Sequence, residues 1–348
     1  MIRRILSACA AAAVVVTALA AAGPAAAYEF DYNEGGTPLV LHEKSRLQGD
    51  DRYATAVAAS RATYPGTADT VYLASGLNFP DALSAGPIAA RAKAPLLLTT
   101  PWGLPLPVRA ELERLKPKRI VLVGGTSSIS AAVERTVVPL ASSVVREGGA
   151  NRYTTSWGLA DRAFPGTVPA VYLATAADYP DALSAGAAAA RDGAPVLLVD
   201  GQAPTLHSTV VALIKRMKPT TIYAVGGAAV IPDKLLASVR PVATVTRLGG
   251  TDRYATAAAV GATWTSATRA YIASGQNFPD ALVGSSVAGS QGQPLFIVPD
   301  ICMPPEVTKT AQALKLTDAI FLGGPAAVAE ETSLQSCDAR TIIGPMMP

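Results

Sequence analysis

Short apolar runs rich in β-forming residues recur along this chain, and each gives way to a stretch of small residues that suits a helix. The clearest runs are Val71-Tyr72-Leu73-Ala74, Val171-Tyr172-Leu173-Ala174 and Ala270-Tyr271-Ile272-Ala273, which read as buried strands. Each leads into one turn used three times. It stands as Asn78-Phe79-Pro80-Asp81-Ala82-Leu83-Ser84-Ala85-Gly86, as Asp178-Tyr179-Pro180-Asp181-Ala182-Leu183-Ser184-Ala185-Gly186 and, more loosely, as Asn277-Phe278-Pro279-Asp280-Ala281-Leu282-Val283-Gly284. A helix is expected to start there. Asn78, Asp178 or Asn277 can cap it, proline suits a first turn whose N–H has no helical acceptor, and the aspartate meets the positive end of the dipole.

The rest of each unit repeats too. The openings Arg46-Leu47-Gln48-Gly49-Asp50-Asp51-Arg52-Tyr53, Arg146-Glu147-Gly148-Gly149-Ala150-Asn151-Arg152-Tyr153 and Arg247-Leu248-Gly249-Gly250-Thr251-Asp252-Arg253-Tyr254 align residue for residue, and Thr55, Thr155 and Thr256 follow in register. An alanine-rich helix comes next, with Asp51, Asn151 or Asp252 as its cap. After the Pro-Asp-Ala-Leu helix there is a second apolar strand, at Pro95-Leu96-Leu97-Leu98, Pro195-Val196-Leu197-Leu198 and Pro294-Leu295-Phe296-Ile297. Another helix follows, clearest at Pro107 to Leu115, where Val108, Leu112 and Leu115 share a face. A third strand ends in Gly124-Gly125, Gly226-Gly227 or Gly323-Gly324, and Val144-Val145, Thr244-Val245 and Thr341-Ile342-Ile343 stand at matching distances beyond as closing strands.

Strands that are apolar throughout and alternate with helices imply parallel sheets covered on both faces. The expected architecture is α/β, with units at residues 46–145, 146–246 and 247–344. A polar lead-in at 28–45 offers one extra strand at Leu39-Val40-Leu41. A repeat of about 100 residues suits a self-contained domain better than a solenoid.

Residues 1–27 are set apart by their pattern. Arg3 and Arg4 precede an apolar stretch, and Ala25-Ala26-Ala27 has the small residues of a signal peptidase site, so the chain is expected to be exported and to start near Tyr28 once processed. Without Arg3 and Arg4, 27 basic residues face 26 acidic ones, and that balance gives no support to a nucleic-acid partner. Cys302 and Cys337 remain of three cysteines, and an even pair in an exported chain favours a disulfide between them. Beyond the leader no stretch is apolar and long enough for a transmembrane anchor.

The Arg-Tyr-x-Thr-Ala opening, the Asn-Phe-Pro-Asp-Ala-Leu turn, the Pro-Leu-Leu-Leu strand and the Val-Gly-Gly strand end, three times over, resemble the type 2 cell wall-binding repeat of Gram-positive surface proteins. The resemblance covers nearly all of the chain beyond the leader. It implies three tandem Rossmann-like or flavodoxin-like domains in a pseudo-threefold ring, holding a secreted protein to an anionic wall polysaccharide or teichoic acid-like polymer. Members often carry an additional enzymatic or adhesive domain, for which the chain leaves no stretch. Glu147 stands where the other units have Leu47 and Leu248, Asn151 where they have Asp51 and Asp252, and Val283-Gly284 where they have Ser84-Ala85 and Ser184-Ala185, so unequal binding by the three units is expected.

Ligands of open parallel sheets bind beyond the carboxyl ends of the strands. Helix amides freed there can hold an anionic group, and a nearby arginine can add a bidentate fork. The candidate binding residues are therefore Arg52, Asn78 and Asp81; Arg152, Asp178 and Asp181; and Arg253, Asn277 and Asp280. For the arginines the simpler reading is an ion pair with Asp81, Asp181 and Asp280. For the aspartates it is service to the first helical turn. The glycine pairs either admit a phosphate or turn the chain. His42 and His207 are the only histidines and have no counterparts in the other units, so both read as surface residues. Neither a zinc site built on histidines nor a repeated Ser-His-Asp site can be assembled from them. No Gly-x-Ser-x-Gly, Gly-x-Gly-x-x-Gly or Walker pattern occurs. No metal and no cofactor is expected, and the reading is a non-catalytic wall binder; a peptidoglycan hydrolase or autolysin modifier is the alternative.

Overall fold

The structure, a computed structural model, describes residues 41–277, 280–329 and 337. It opens with β1 (His42–Leu47), α1 (Arg52–Thr63), β2 (Thr70–Ser75), α2 (Phe79–Arg91), β3 (Leu96–Thr99), α3 (Leu106–Leu115), β4 (Arg119–Val123) and α4 (Ala131–Val137). The second round is β5 (Ser143–Glu147), α5 (Arg152–Ala163), β6 (Ala170–Thr175), α6 (Pro180–Arg191), β7 (Val196–Val199), α7 (Ser208–Met217), β8 (Thr221–Val225) and α8 (Asp233–Leu236). The third is β9 (Thr244–Leu248), α9 (Arg253–Gly261), β10 (Arg269–Ser274), α10 (Gly284–Ser290), β11 (Leu295–Val298), α11 (Pro305–Ala313) and β12 (Asp318–Leu322).

These strands form three four-stranded parallel sheets, ordered β3-β2-β4-β5, β7-β6-β8-β9 and β11-β10-β12-β1. The fourth strand of each sheet runs directly into the opening helix of the next unit. β5 pairs with β4, yet α5 packs on β7; β9 pairs with β8, yet α9 packs on β11. The cycle is closed by β1, which pairs with β12 while α1 packs on β3. Thr341-Ile342-Ile343, expected to close the third sheet, lie outside the described residues. The place beside β12 belongs instead to β1, from the other end of the chain. That strand covers an edge that would otherwise present unpaired backbone groups. Of the extra strand expected at Leu39-Val40-Leu41, residues 39 and 40 lie outside the described residues, and β1 follows directly after Leu41.

The capping residues of the opening helices act as the sequence indicates. Asp51 accepts from the amides of Tyr53 and Ala54 (2.9 and 2.8 Å), Asn151 from those of Tyr153 and Thr154 (both 3.0 Å), and Asp252 from those of Tyr254 and Ala255 (2.9 and 2.8 Å). Helices α2, α6 and α10 pack against one another around a common axis. Their apolar faces join one core with Leu83, Leu183 and Leu282 fully buried. Small side chains permit this approach. A Cβ on Gly86 or Gly186 would collide with Ser285, the residue at the matching place in the third unit.

The Cys302–Cys337 disulfide is present, with Cα atoms 5.2 Å apart. It pins residue 337 beside the loop before α11, where the Cys337 amide also donates to the Met303 carbonyl (2.9 Å). Among the described residues no helix is long and apolar enough to cross a membrane.

Candidate functional site

Each opening helix lies between two units. α5 packs on β7 of its own unit and on α2 of the first; α9 packs on β11 and on α6; α1 packs on β3 and on α10. Residues three apart on such a helix share a face, so Arg152 and Thr155 look together into the preceding unit. What they meet is the carboxyl end of its sheet, where the Pro-Asp turn begins.

Asp81 therefore sits against Arg152 and Thr155, Asp181 against Arg253 and Thr256, and Asp280 against Arg52 and Thr55. Each of these arginines thus faces the aspartate of a neighbouring unit, and the three such facings run round the molecule in a cycle. Each threonine hydroxyl also accepts a backbone amide of its own opening loop, from Gly49 (3.2 Å), Gly149 (3.0 Å) or Gly250 (3.2 Å). Its proton is thus free to point at the aspartate.

Burial dominates the acidity of these carboxyls. Asp81 and Asp181 are only 7% and 8% exposed, and loss of water pushes both above the usual carboxylate range. For Asp81 a hydrogen bond from Ser128 (2.8 Å), the Arg152 charge and a hydrogen bond from Thr155 oppose the rise. Asp181 is pushed up to about 6 by burial and then by the negative charge of Asp178, against Arg253 and Thr256. Asp280 is raised by burial, with Thr55 and Arg52 opposing and Asp51 adding to the rise.

The arginines are fixed as well. Arg52 donates to the Gly76 carbonyl (2.6 Å), Arg152 to that of Ala176 (2.8 Å) and Arg253 to that of Gly275 (2.6 Å), each at the end of the central strand of its own sheet. Arg253 also meets Asp178 of the preceding unit at 3.3 Å.

The first glycine of each pair has a positive φ, +108° at Gly124, +117° at Gly226 and +96° at Gly323. A Cβ there would run into the carboxylate of Asp81, Asp181 or Asp280. The glycines do more than turn the chain, and the group they admit is a side-chain carboxylate of the protein itself.

Arg46, Arg146 and Arg247 hold the same turns. They donate to the carbonyls of Gly323 (3.2 Å), Gly124 (3.0 Å) and Gly226 (2.9 Å). No role for these arginines or for Thr55, Thr155 and Thr256 follows from the sequence, although their threefold register is visible in it.

Asn78 and Asp178 do not cap helices as expected, and the residues directly after Asn277, at 278 and 279, lie outside the described residues. Asn78 holds the cap position of α2 without a side-chain hydrogen bond, α6 starts after Tyr179, and in the third unit a 3-10 turn at Ala281–Val283 leads into α10. The hydroxyls of Ser75, Thr175 and Ser274 accept the amides just before these positions, from Leu77 (3.3 Å), Ala177 (3.1 Å) and Gln276 (3.2 Å). Asn78 and Asn277 are exposed, while Asp178 accepts the Tyr179 amide (2.9 Å) and an N–H of Arg253 (3.3 Å).

The three clefts differ in charge. Between units two and three, Asp178, Asp181 and Asp252 share a cavity of about 230 Å³ with Arg253. Between three and one, Asp280 and Asp51 accompany Arg52. Between one and two the matching positions hold Asn78 and Asn151, so Asp81 is the carboxylate facing Arg152 there.

This threefold arrangement is matched by one family model, cell wall binding domain 2 (CWB2), at residues 46–134, 146–236 and 247–333. The chain belongs to that family. Its cell wall binding units are similar to part of the N-acetylmuramoyl-L-alanine amidase LytC of Bacillus subtilis, 28% identical over 300 residues, which is 86% of this chain and 59% of that protein. They are similar also to the amidase enhancer of the same organism, 28% identical over 295 residues, or 84% of this chain and 40% of the relative. The chain thus spans about half the length of the curated relatives it matches. Among solved structures, Cwp8 from Clostridium difficile superposes with a TM-score of 0.75 at 27% identity, over 81% of this chain and 49% of that one. Cwp6 from the same organism, at 21% identity, shares the fold with a TM-score of 0.77 over 88% and 50%.

Proposed function

We propose that the three cell wall binding units attach this protein non-covalently to an anionic wall glycopolymer, without catalysis, and that the cleft between units one and two takes the anionic group. The observation that carries this reading is Arg152. It is held to the Ala176 carbonyl at an exposed cleft rim, with neutral asparagines at positions 78 and 151. A guanidinium fixed in this way presents its remaining N–H groups at little entropic cost, and matches phosphate or carboxylate in a bidentate fork. The cleft between units two and three, rich in carboxylates, repels an anion and suits sugar hydroxyls. Linked weak sites of this kind prolong residence on a repetitive polymer.

The test is a pull-down of the protein lacking residues 1–27 with intact cell walls and with walls stripped of acid-labile polymers, while the supernatant is assayed for muropeptides. Binding lost on stripped walls with nothing released supports the proposal. Release of muropeptides would establish a hydrolase instead, and equal binding to both walls would remove the anionic polymer as the ligand.

A further inference from the structure

The middle unit departs from its neighbours at one place outside the Arg–Asp clefts. The loop from β7 to α7, residues 200–207, has eight residues where the corresponding loops, 100–105 and 299–304, have six. Trp157 on α5 stands where the other units have Val57 and Ala258, and His207 stands where they have Pro105 and Pro304.

The contact between the two helices has changed as well. In unit one, α1 and α3 are clasped by Glu111, which receives hydrogen bonds from Ser60 (2.6 Å), Arg61 (3.1 Å) and Arg114 (2.6 Å). In unit two the matching residues are Leu213, Ala160, Asp161 and Arg216, and the buried clasp is gone. Two adjoining cavities open between α5 and α7, of about 430 and 540 Å³. Thr154, Trp157 and His207 line both of them.

We infer that this groove is a glycan-binding site particular to the middle unit, taking uncharged pyranose rings. Its aromatic face is the exposed His207 imidazole, laid over a Trp157 ring that is itself only 7% exposed. The Trp157 indole donates to the Leu198 carbonyl (2.9 Å), and the exposed His207 imidazole stacks on it with centroids 4.7 Å apart and planes 29° from parallel. His207 is itself held by accepting the Thr209 amide (3.2 Å).

Polar groups surround that apolar wall. Asn151, Tyr153, Asp200, Thr205 and Ser208 line the larger cavity. Asp200 accepts the Gln202 amide with one oxygen (2.9 Å), and among the described residues its second oxygen has no partner. Apolar faces to stack on and polar groups at the edge match a sugar ring, which has C–H faces and an equatorial belt of hydroxyls. The volume is that of a small-molecule site. The Asp200 carboxylate accepts from sugar hydroxyls and repels an acidic sugar, which distinguishes this site from the anion-taking cleft at Arg152. The inference stands whether or not that cleft binds a polymer.

The test titrates the isotope-labelled protein with N-acetylglucosamine, its β-linked disaccharide chitobiose and glucuronate, following the tryptophan indole and backbone amide resonances. Saturable shifts of the Trp157 indole and of the residue 200–208 amides are expected with the uncharged sugars, and weaker ones with glucuronate. Asp200→Asn and His207→Asn should each weaken the response by about tenfold, the loss of one charge-assisted or stacking contact. The asparagine at 207 keeps a capping acceptor for Thr209, and melting curves verify that both variants fold. Absence of saturable shifts, glucuronate binding as tight as that of chitobiose, or undiminished binding by both variants would overturn the inference.

Discussion

Gly86 lacks a side chain where Ser285, from the third unit, reaches the common axis of the molecule. Gly186 lacks one for the same reason, and the Ser285 hydroxyl is buried there without a hydrogen-bond partner among the described residues. The three units are equivalent around the axis, but only one of them can carry a Cβ and hydroxyl at this level. Gly86→Ala should overpack the axis and destabilise the protein by about 1–3 kcal/mol. Adding Ser285→Gly should recover at least half of that loss. Thermal melts of the two single variants and the double variant measure the coupling, and additivity would show that the contact does not govern the packing.

Arg152 and Arg253 occupy matching places with different surroundings. Arg152→Gln should reduce retention on intact cell walls by about tenfold, as expected for losing a charged hydrogen bond of about 1.5–3 kcal/mol. Arg253→Gln should reduce it far less, since Asp178 already engages that guanidinium at 3.3 Å. Sedimentation assays with both variants compare them directly. Moderate salt should weaken the wild-type protein more than Arg152→Gln, because screening acts on the charge that the variant has lost.

The raised pKa of Asp181 makes stability depend on pH. A carboxyl at about 6 in the folded protein, above its ordinary 3.8, binds its proton more tightly folded than unfolded. Its contribution is therefore fully present below the ordinary value and is lost as pH rises through about 6. Chemical denaturation between pH 4 and pH 8 should show a decline on the order of 2 kcal/mol from this group. In Asp181→Asn that part of the pH dependence should vanish.

Glu111 behaves in the opposite sense. Burial alone would raise its carboxyl, but hydrogen bonds from Arg114, Ser60 and Arg61 bring it below the usual range. Its stabilisation is present above the unfolded value and is lost as pH falls through the folded one. Glu111→Gln should cost on the order of 2 kcal/mol near neutral pH, discounted because Arg61 and Arg114 are partly solvated. The gap between variant and wild type should narrow at acid pH, which urea melts at the two pH values would read.

The pairing of β1 with β12 predicts the effect of removing it. A chain lacking residues 1–47 should expose the edge of β12 and lose hydrogen-exchange protection in residues 318–322 before any other strand. Self-association on size exclusion is the expected companion of that open edge. Protection in β12 equal to that of the full chain would show that another segment closes the third sheet.

Much of this was written in the chain. Apolar runs such as Val171 to Ala174, punctuated by proline and the Gly-Gly ends, dictate strand and helix through local propensity and periodicity. The same local chemistry places Asp51, Asn151 and Asp252 as caps and makes the threefold repeat unmistakable. Asn78 and Asp178 do not act as caps because Pro80 and Pro180 carry no amide for a cap to accept, and Asp178 turns instead to the Tyr179 amide and to Arg253, a partner that only the folded chain supplies.

Relationships between units lie beyond any local signal. That β1 completes the third sheet, that Asp81 faces Arg152, and that Gly86 makes room for Ser285 depend on residues about 70 to 280 positions apart brought together by packing, where close-packed interiors leave each atom a particular neighbour. The groove at Trp157 and His207 is of the same kind. Its residues are ordinary in sequence, and only the longer loop and the missing Glu111 clasp bring them to line one cavity.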